Sequence, residues 1–446
     1  MTIETPTAAT KDLRLMKILL LCFVVVYHVY LIFSISHEPW LLQDSREYLN
    51  GAQHFITNGN YYAGNDNGTV DYRLFSKRTP LYPVLLSVFI SNHLHIHIIY
   101  VFQVFLGLFN ILLFYLLFKL IVPNQRKPLL LGSVFIFLTP AQFIYSQFIM
   151  ADLLLQTFVM IVVLSFLYFH KTKDILWLGV VVLSATLGAL TKPVFLPISL
   201  IVGLYALFII IKSKRISFWI IVALLPFISW FYLGKKNEKL TGVFHYSSIT
   251  YMNLLHYNTN LYLNNSVGKE ETEKILGKLM IVPESKVEFV KNYKEVNSVC
   301  ASVLLNNILS YSIYHSRGVA YYFLDPGRFD LYNFLRLENE NSNGFLHRGA
   351  GKNKFEEVYS QYPGIAVALV FLLLINIIKT LGFIGFLWVR RKNFQMLLIG
   401  SLVFYLAILT GPLGASRFAL PSELIIIAFA SIYFKEKFGG KKTENV

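Results

Sequence analysis

Ten runs of largely apolar residues, each long enough to cross a bilayer, constrain this chain more than any other feature. They lie at 15–36, 95–121, 128–146, 152–169, 175–191, 193–211, 216–234, 363–389, 394–411 and 417–434. A helix crossing about 30 Å of hydrocarbon needs roughly 17 to 25 such residues. Inside lipid each segment must close its own backbone hydrogen bonds, so the pattern predicts an all-α polytopic membrane protein. Charge content agrees: at 15% charged and 55% hydrophobic, the chain falls well below the roughly 25% charged residues of a soluble domain. Cys22 sits in the first run and Cys300 in a polar region, so no disulfide framework is implied.

The net charge of +15 would point to nucleic acid if the basic residues formed one patch. Instead they mark every second connection: Arg126 and Lys127; Lys171 and Lys173; Lys212, Lys214 and Arg215; Arg390, Arg391 and Lys392; and the tail with Lys435, Lys437, Lys441 and Lys442. Positive charge in short loops marks the cytoplasmic side, which puts both termini there and excludes nucleic acid as the reason for the charge. The first run follows Lys11, Arg14 and Lys17 but has no small-residue cleavage site, so it reads as an uncleaved span. The apolar stretch 80–92 is too short to span and reads as an interfacial or re-entrant helix. Lys379 interrupts the eighth run; it either snorkels to the cytoplasmic interface or marks a functional site.

The opposite side receives a first loop, 37–79, and a long segment, 235–362. Within the loop, Asp44, Tyr48, Ala52 and Phe55 make a helical stripe that Asn58-Gly59 ends. Asp44 at its start is either a helix cap or a chemical group. Arg73, Lys77 and Arg78 follow, cations on the side where topology disfavours them. They suit a phosphate or lipid headgroups. Asp152, Lys192 and Arg417 stand at outer ends of spans, where an acid is a cap or a ligand and a cation serves a bound anion.

The segment 235–362 carries 15 basic and 13 acidic residues, a balance that predicts a small folded α-rich lobe with the aromatic helix near 303–323 lying at the interface. Three units follow: a transmembrane core over 1–234, the lobe over 235–362 and C-terminal spans with a tail over 363–446. His93, His95 and His97 alternate, a spacing that a helix cannot turn toward one zinc ion. Asn67 and Asn264 stand in glycosylation sequons. There is no Walker A or dinucleotide-binding glycine motif.

The loop from 44 to 62 followed by Lys77-Arg78-Thr79-Pro80-Leu81-Tyr82-Pro83 resembles the GT-C superfamily of lipid-linked glycosyltransferases. Within it the likeness is to the protein mannosyltransferase-like branch (glycosyltransferase family 39) and the lipid A aminoarabinose transferases. Met150-Ala151-Asp152-Leu153, Leu190-Thr191-Lys192-Pro193 and Ser416-Arg417-Phe418-Ala419-Leu420-Pro421 follow in the family's order. The likeness covers 15 to about 235 best. The mannosyltransferase branch carries an adjacent Asp-Glu pair, whereas here Asp44 is followed by Ser45, with Glu47 beyond.

The resemblance implies a GT-C-like fold and a polyprenyl-phosphate sugar as donor, with a lipid, glycan or protein as acceptor. Transfer would be inverting, at the extracytoplasmic face. The loss of the adjacent glutamate favours a metal-independent mechanism with a single carboxylate. A bacterial inner membrane is the expected setting, with an archaeal source equally consistent. Asp44 is the candidate base for the acceptor hydroxyl, with Asp152 assisting. Lys77, Arg78, Lys192 and Arg417 are candidates to hold the phosphate charge. Arg317, Asp325 and Arg328 are candidates for the acceptor side. No cofactor is expected, and a divalent metal has no support in the residues. Two rivals remain: a glycolipid transporter or flippase, which would place charges deep in the spans, and an O-antigen ligase or polymerase using diphosphate-linked oligosaccharides.

Overall fold

The structure, a computed structural model, describes residues 8–65, 68–92, 96–123, 125–213, 218–337 and 358–438. Every regular element among them is helical. The helices that organise the molecule are α1 (Ala8–Ile35), α2 (Gln43–Asn58), α3 (Leu81–Ser91), α4 (His97–Ile121), α5 (Arg126–Phe137), α6 (Asp152–Thr172), α7 (Ile175–Thr191), α8 (Leu196–Lys212) and α9 (Trp219–Thr241). They continue with α10 (Lys286–Asn306), α11 (Ile308–Leu324), α12 (Arg328–Phe334), α13 (Pro363–Val389), α14 (Phe394–Leu409) and α15 (Ser416–Phe438). His93, His95, Asn67, Lys214, Arg215, Lys441 and Lys442 fall outside the described residues.

Among the described residues seven helices, all within the ten expected runs, are long and apolar enough to cross a membrane by length and composition alone. They are α1, α4, α6, α8, α9, α13 and α15. Two of the other runs form the shorter helices α7 and α14, of 17 and 16 residues. The run at 128–146 is broken. Its helix α5 has 12 residues, about 18 Å at 1.5 Å per residue, and ends at Thr139-Pro140. From there to Ala151 the chain is a four-residue helical turn and coil, almost wholly buried. Composition stays apolar through this stretch, so hydropathy does not reveal the break; irregular backbone at such depth is tolerated where protein encloses it. The stretch 80–92 becomes the 11-residue α3, packed on α2 and α7 and too short to span. Outward, apolar side chains such as Leu21, Ile32, Phe105, Leu204 and Leu381 are exposed, the surface expected of a multi-pass membrane protein.

Polar side chains stitch the bundle internally, where each unsatisfied group would cost free energy. Asn110 of α4 donates to Gln156 Oε1 of α6 (2.9 Å), and the Gln142 and Gln156 amides exchange bonds at 3.0 Å. Gln156 Nε2 donates to the Leu420 carbonyl of α15 at 2.6 Å. On the other flank Gly382 of α13 meets Ala430 of α15, where an added Cβ would lie 2.9 Å from the alanine Cα. That close approach is the usual use of a small residue between membrane helices.

Lys379 does not snorkel. It is buried, paired with Glu423 of α15, and donates to Thr139 Oγ1 at 3.1 Å. Glu423 interrupts the last apolar run as Lys379 interrupts the eighth, and each finds its partner in the other. Removing one partner of a buried pair is far costlier than removing both. Lys379→Met should therefore lower stability by about 3 kcal/mol, and Lys379→Met with Glu423→Leu should recover most of it. Thermal unfolding in detergent reads this; a single variant as stable as the wild type would refute it.

The lobe has its own core around Tyr251, Leu255, Tyr262, Phe289, Val296 and Cys300. The expected aromatic helix near 303–323 is essentially α11, which α10 precedes: the two meet at Asn307 with a bend of 98°. The second of them packs into the bundle, where Phe323 stacks near Phe383 and Phe404.

Candidate active site

Helix α2 begins two residues earlier than a cap at Asp44 would require. Leu42 is the cap residue, with extended backbone and no side-chain cap bond, so Asp44 lies inside the first turn and the cap reading is corrected. Residues three apart on a helix share a face, and Asp44 and Glu47 therefore point together at the basic stretch. The far end of α2 stops where expected: Gly59 takes a left-handed φ of 71° and its N–H bonds to the Phe55 carbonyl.

Seven charges join in one alternating chain. Lys77 Nζ meets Glu47 Oε1 at 2.6 Å, and Arg78 Nε donates to Glu47 Oε2 at 2.8 Å. Arg78 Nη2 reaches Asp44 Oδ1 at 2.5 Å, while Arg417 Nη2 reaches Asp44 Oδ2 at 2.5 Å. Arg417 Nε then faces Asp152 Oδ2 at 3.7 Å, and Lys192 Nζ donates to Asp152 Oδ1 at 2.7 Å. Among the described residues four cations meet three carboxylates, so the chain carries one positive charge in excess. All four predicted phosphate ligands and both predicted acids are thus brought together. Arg73 is not among them; it forms a two-pronged pair with Asp71.

Access differs along the chain. The side chain of Asp44 is 25% exposed and that of Asp152 is 1% exposed. Burial alone would raise the Asp44 pKa, but the guanidinium groups of Arg417 and Arg78 outweigh it and hold the carboxyl well below the usual range. Burial pulls the Lys192 amine below its ordinary value, with Asp152 opposing. Tyr48 lies under Arg78, whose guanidinium carbon is 4.7 Å from the ring centroid, a contact that orients the planar cation.

The frame behind these groups is polar and buried. Gln103 of α4 holds the coil before α6, donating to the Phe148 carbonyl at 2.7 Å and accepting from Tyr82 at 2.7 Å. Asp152 opens α6, where the helix dipole favours an anion. The stretch 73–78 is tied to the lobe: Ser248 N donates to the Ser76 carbonyl (3.1 Å) and Ser247 Oγ to the Lys77 carbonyl (2.8 Å). Ser76 Oγ meets His245 Nε2 at 2.5 Å. Burial brings the His245 pKa down to about 4, so the ring is neutral and accepts from Ser76.

The three acceptor-side candidates do not join the chain of charges. Arg317 is half-buried on α11. Arg328 is buried with its guanidinium 5.0 Å from the Tyr332 ring. Asp325 is buried and accepts from the Ser416 N–H at 3.0 Å. Beside it lies Asp330, unmarked in the sequence because acids are common in a polar lobe. It accepts from Tyr145 Oη at 2.6 Å and from the Ser416 hydroxyl. Burial raises its pKa from 3.8 to about 7. A pKa raised by folding contributes stability that is complete below the unfolded value and is lost as pH rises through the folded one, here between about 4 and 7. Between pH 5 and pH 8 the wild type should lose several degrees more melting temperature than Asp330→Asn; parallel curves would show that Asp330 is not buried with a raised pKa.

Among the described residues no group of three or more His, Cys, Asp or Glu is placed to hold a metal ion.

No protein family and no curated relative matches the chain. Among solved structures it is similar, at 13% identity and a TM-score of 0.40, to ArnT from Cupriavidus metallidurans bound to undecaprenyl phosphate, over 92% of this chain and 77% of that one. It is also similar to the apo state of that protein, at 13% identity and a TM-score of 0.39, over 97% and 78% of the two chains.

Proposed function

We propose that this protein is a glycosyltransferase of the GT-C type, moving a sugar from a polyprenyl phosphate to a hydroxyl of an acceptor. The observation that carries this reading is the alternating chain of charges with one positive charge to spare and a partly exposed carboxylate at its centre. A phosphodiester brings one negative charge, which balances that excess; a diphosphate brings two. The sidedness of the loop cations puts the site at the extracytoplasmic face, with both termini in the cytoplasm, and a bacterial inner membrane is the setting we assign.

At rest both Asp44 oxygens are held by arginine. The donor phosphate competes for the same guanidinium edges, to which its oxygens are well matched. As Arg78 and Arg417 turn to the phosphate, Asp44 loses the partners that depress its basicity and becomes able to accept a proton. The acceptor oxygen then bonds to the anomeric carbon as the bond from that carbon to the phosphate oxygen breaks. The acceptor proton goes to Asp44, and the electron pair leaves on the lipid phosphate, whose growing charge the four cations stabilise. Configuration at the anomeric carbon inverts. Asp152 keeps Arg417 and Lys192 in place. The lobe over 235–362 shapes the acceptor side.

The transporter alternative asks for charges along a path through the spans. Lys379 and Glu423 lie deep, but they are buried and close on each other. The test is mass spectrometry of lipids retained by the detergent-purified protein, wild type against Asp44→Asn. A polyprenyl-phosphate sugar on the variant and the free polyprenyl phosphate on the wild type support donor and reaction together. The same intact glycolipid on both proteins, or no polyprenyl lipid on either, would reject the reading.

A further inference from the structure

Arg417 is the second residue of α15, and Pro421 stands four positions on. Proline has no N–H, so the helix cannot give the Arg417 carbonyl its ordinary bond. The turn that aims Arg417 is therefore held from outside the helix. Two buried acids do this through the residue before it. Asp325 accepts the Ser416 N–H at 3.0 Å, and Asp330 accepts the Ser416 hydroxyl. Gly327 between them adopts a left-handed φ of 80°, which folds the chain back so that both carboxylates reach one residue.

The acids are themselves fixed. Asn376 of α13 donates to the Asp325 carbonyl at 2.8 Å, and Tyr145 donates to the second oxygen of Asp330 at 2.6 Å. Tyr145 belongs to the buried coil that leads into Asp152. The turn before Ser416 is equally confined, since a Cβ on Gly414 would come 1.8 Å from the Gly318 carbonyl oxygen. Both acids are buried, and each gives one oxygen to Ser416.

We infer that Asp325 and Asp330 are positioning residues for Arg417, holding Ser416 from two sides so that one guanidinium meets Asp44 and Asp152 together. The inference rests on the proposed role of Arg417 in phosphate binding. It deepens that role by assigning the lobe a part in the donor site.

The experiment combines hydrogen exchange over residues 411–424 with binding of undecaprenyl phosphate, both on the full-length protein in detergent. Ser416→Ala and Asp325→Ala should each speed exchange over that stretch and weaken lipid binding, by about tenfold for the loss of a buried hydrogen bond. Exchange over 286–306 should not change. Asp325→Asn, whose amide oxygen still accepts from the Ser416 N–H, should restore most of both. If Asp325→Ala does not fold, Ser416→Ala carries the test. Unchanged exchange in these variants overturns the inference, as does faster exchange with lipid binding intact. Wild-type protein that fails to bind the lipid would instead sink the glycosyltransferase reading, and the exchange measurement would still decide whether the two acids hold the turn.

Discussion

Asp44→Asn should lower sugar transfer by about a thousandfold while leaving donor binding intact or stronger. General-base catalysis contributes roughly 10²- to 10⁴-fold, and the amide cannot take the proton. The binding side follows from the charge count: with Asp44 neutral, four cations face two carboxylates, and the phosphate gains attraction. Folding should survive, because Arg78 keeps Glu47 and Arg417 keeps Asp152 within reach. Single-turnover transfer measured alongside donor affinity separates the two effects. Transfer within tenfold of the wild type would show that Asp44 is a structural anion and not the base.

Arg417 should give the largest combined loss. Among the described residues it is the one that joins Asp44, at 2.5 Å, to Asp152, at 3.7 Å. Arg417→Met leaves Asp152 with Lys192 alone and removes half of the hold on Asp44. Breaking a buried charge pair in this way costs about 3–5 kcal/mol, and donor binding should disappear with it. Acid sensitivity should change as well. Asp44, whose folded pKa is depressed mainly against burial by Arg417 and Arg78, contributes stability that is present above its unfolded pKa and lost as pH falls below it. Without Arg417 that contribution shrinks, so the variant should show a smaller loss of melting temperature on acidification than the wild type. Arg417→Lys keeps the charge but cannot present two edges, and its affinity should fall between the two. Donor affinity equal to the wild type in Arg417→Met would remove the residue from the site.

Much of this is legible in the sequence alone, and the reasons are physical. Spans show themselves because lipid demands long apolar runs. The members of the site show themselves because Lys77, Arg78, Lys192 and Arg417 stand where topology disfavours cations. Pairing is what composition cannot give. That Asp44 lies inside α2 and not at its cap depends on the helix starting at Gln43, a shift of two residues that no local preference fixes. Lys379 looked able to snorkel because its partner, Glu423, lies 44 residues away on another helix. The break at Thr139-Pro140 is silent in hydropathy because buried coil and buried helix have the same composition. Asp330 gives no signal and Ser416 shows only as the first residue of a motif, since a serine and an acid become meaningful only when packing removes water from around them.

The last long helix also sets when the site comes into being. Asp44 and Arg417 are 373 residues apart, and domains form in the order in which the chain is made. Before α15 is inserted, Lys77, Arg78 and Lys192 face Glu47, Asp44 and Asp152 in equal number. The half-built protein is neutral at this surface and has no surplus with which to attract an anionic lipid. Arrival of α15 adds the seventh charge and with it the positive surplus on which the proposed donor binding rests. On the proposed role of this site, a product truncated ahead of residue 416 should bind no donor.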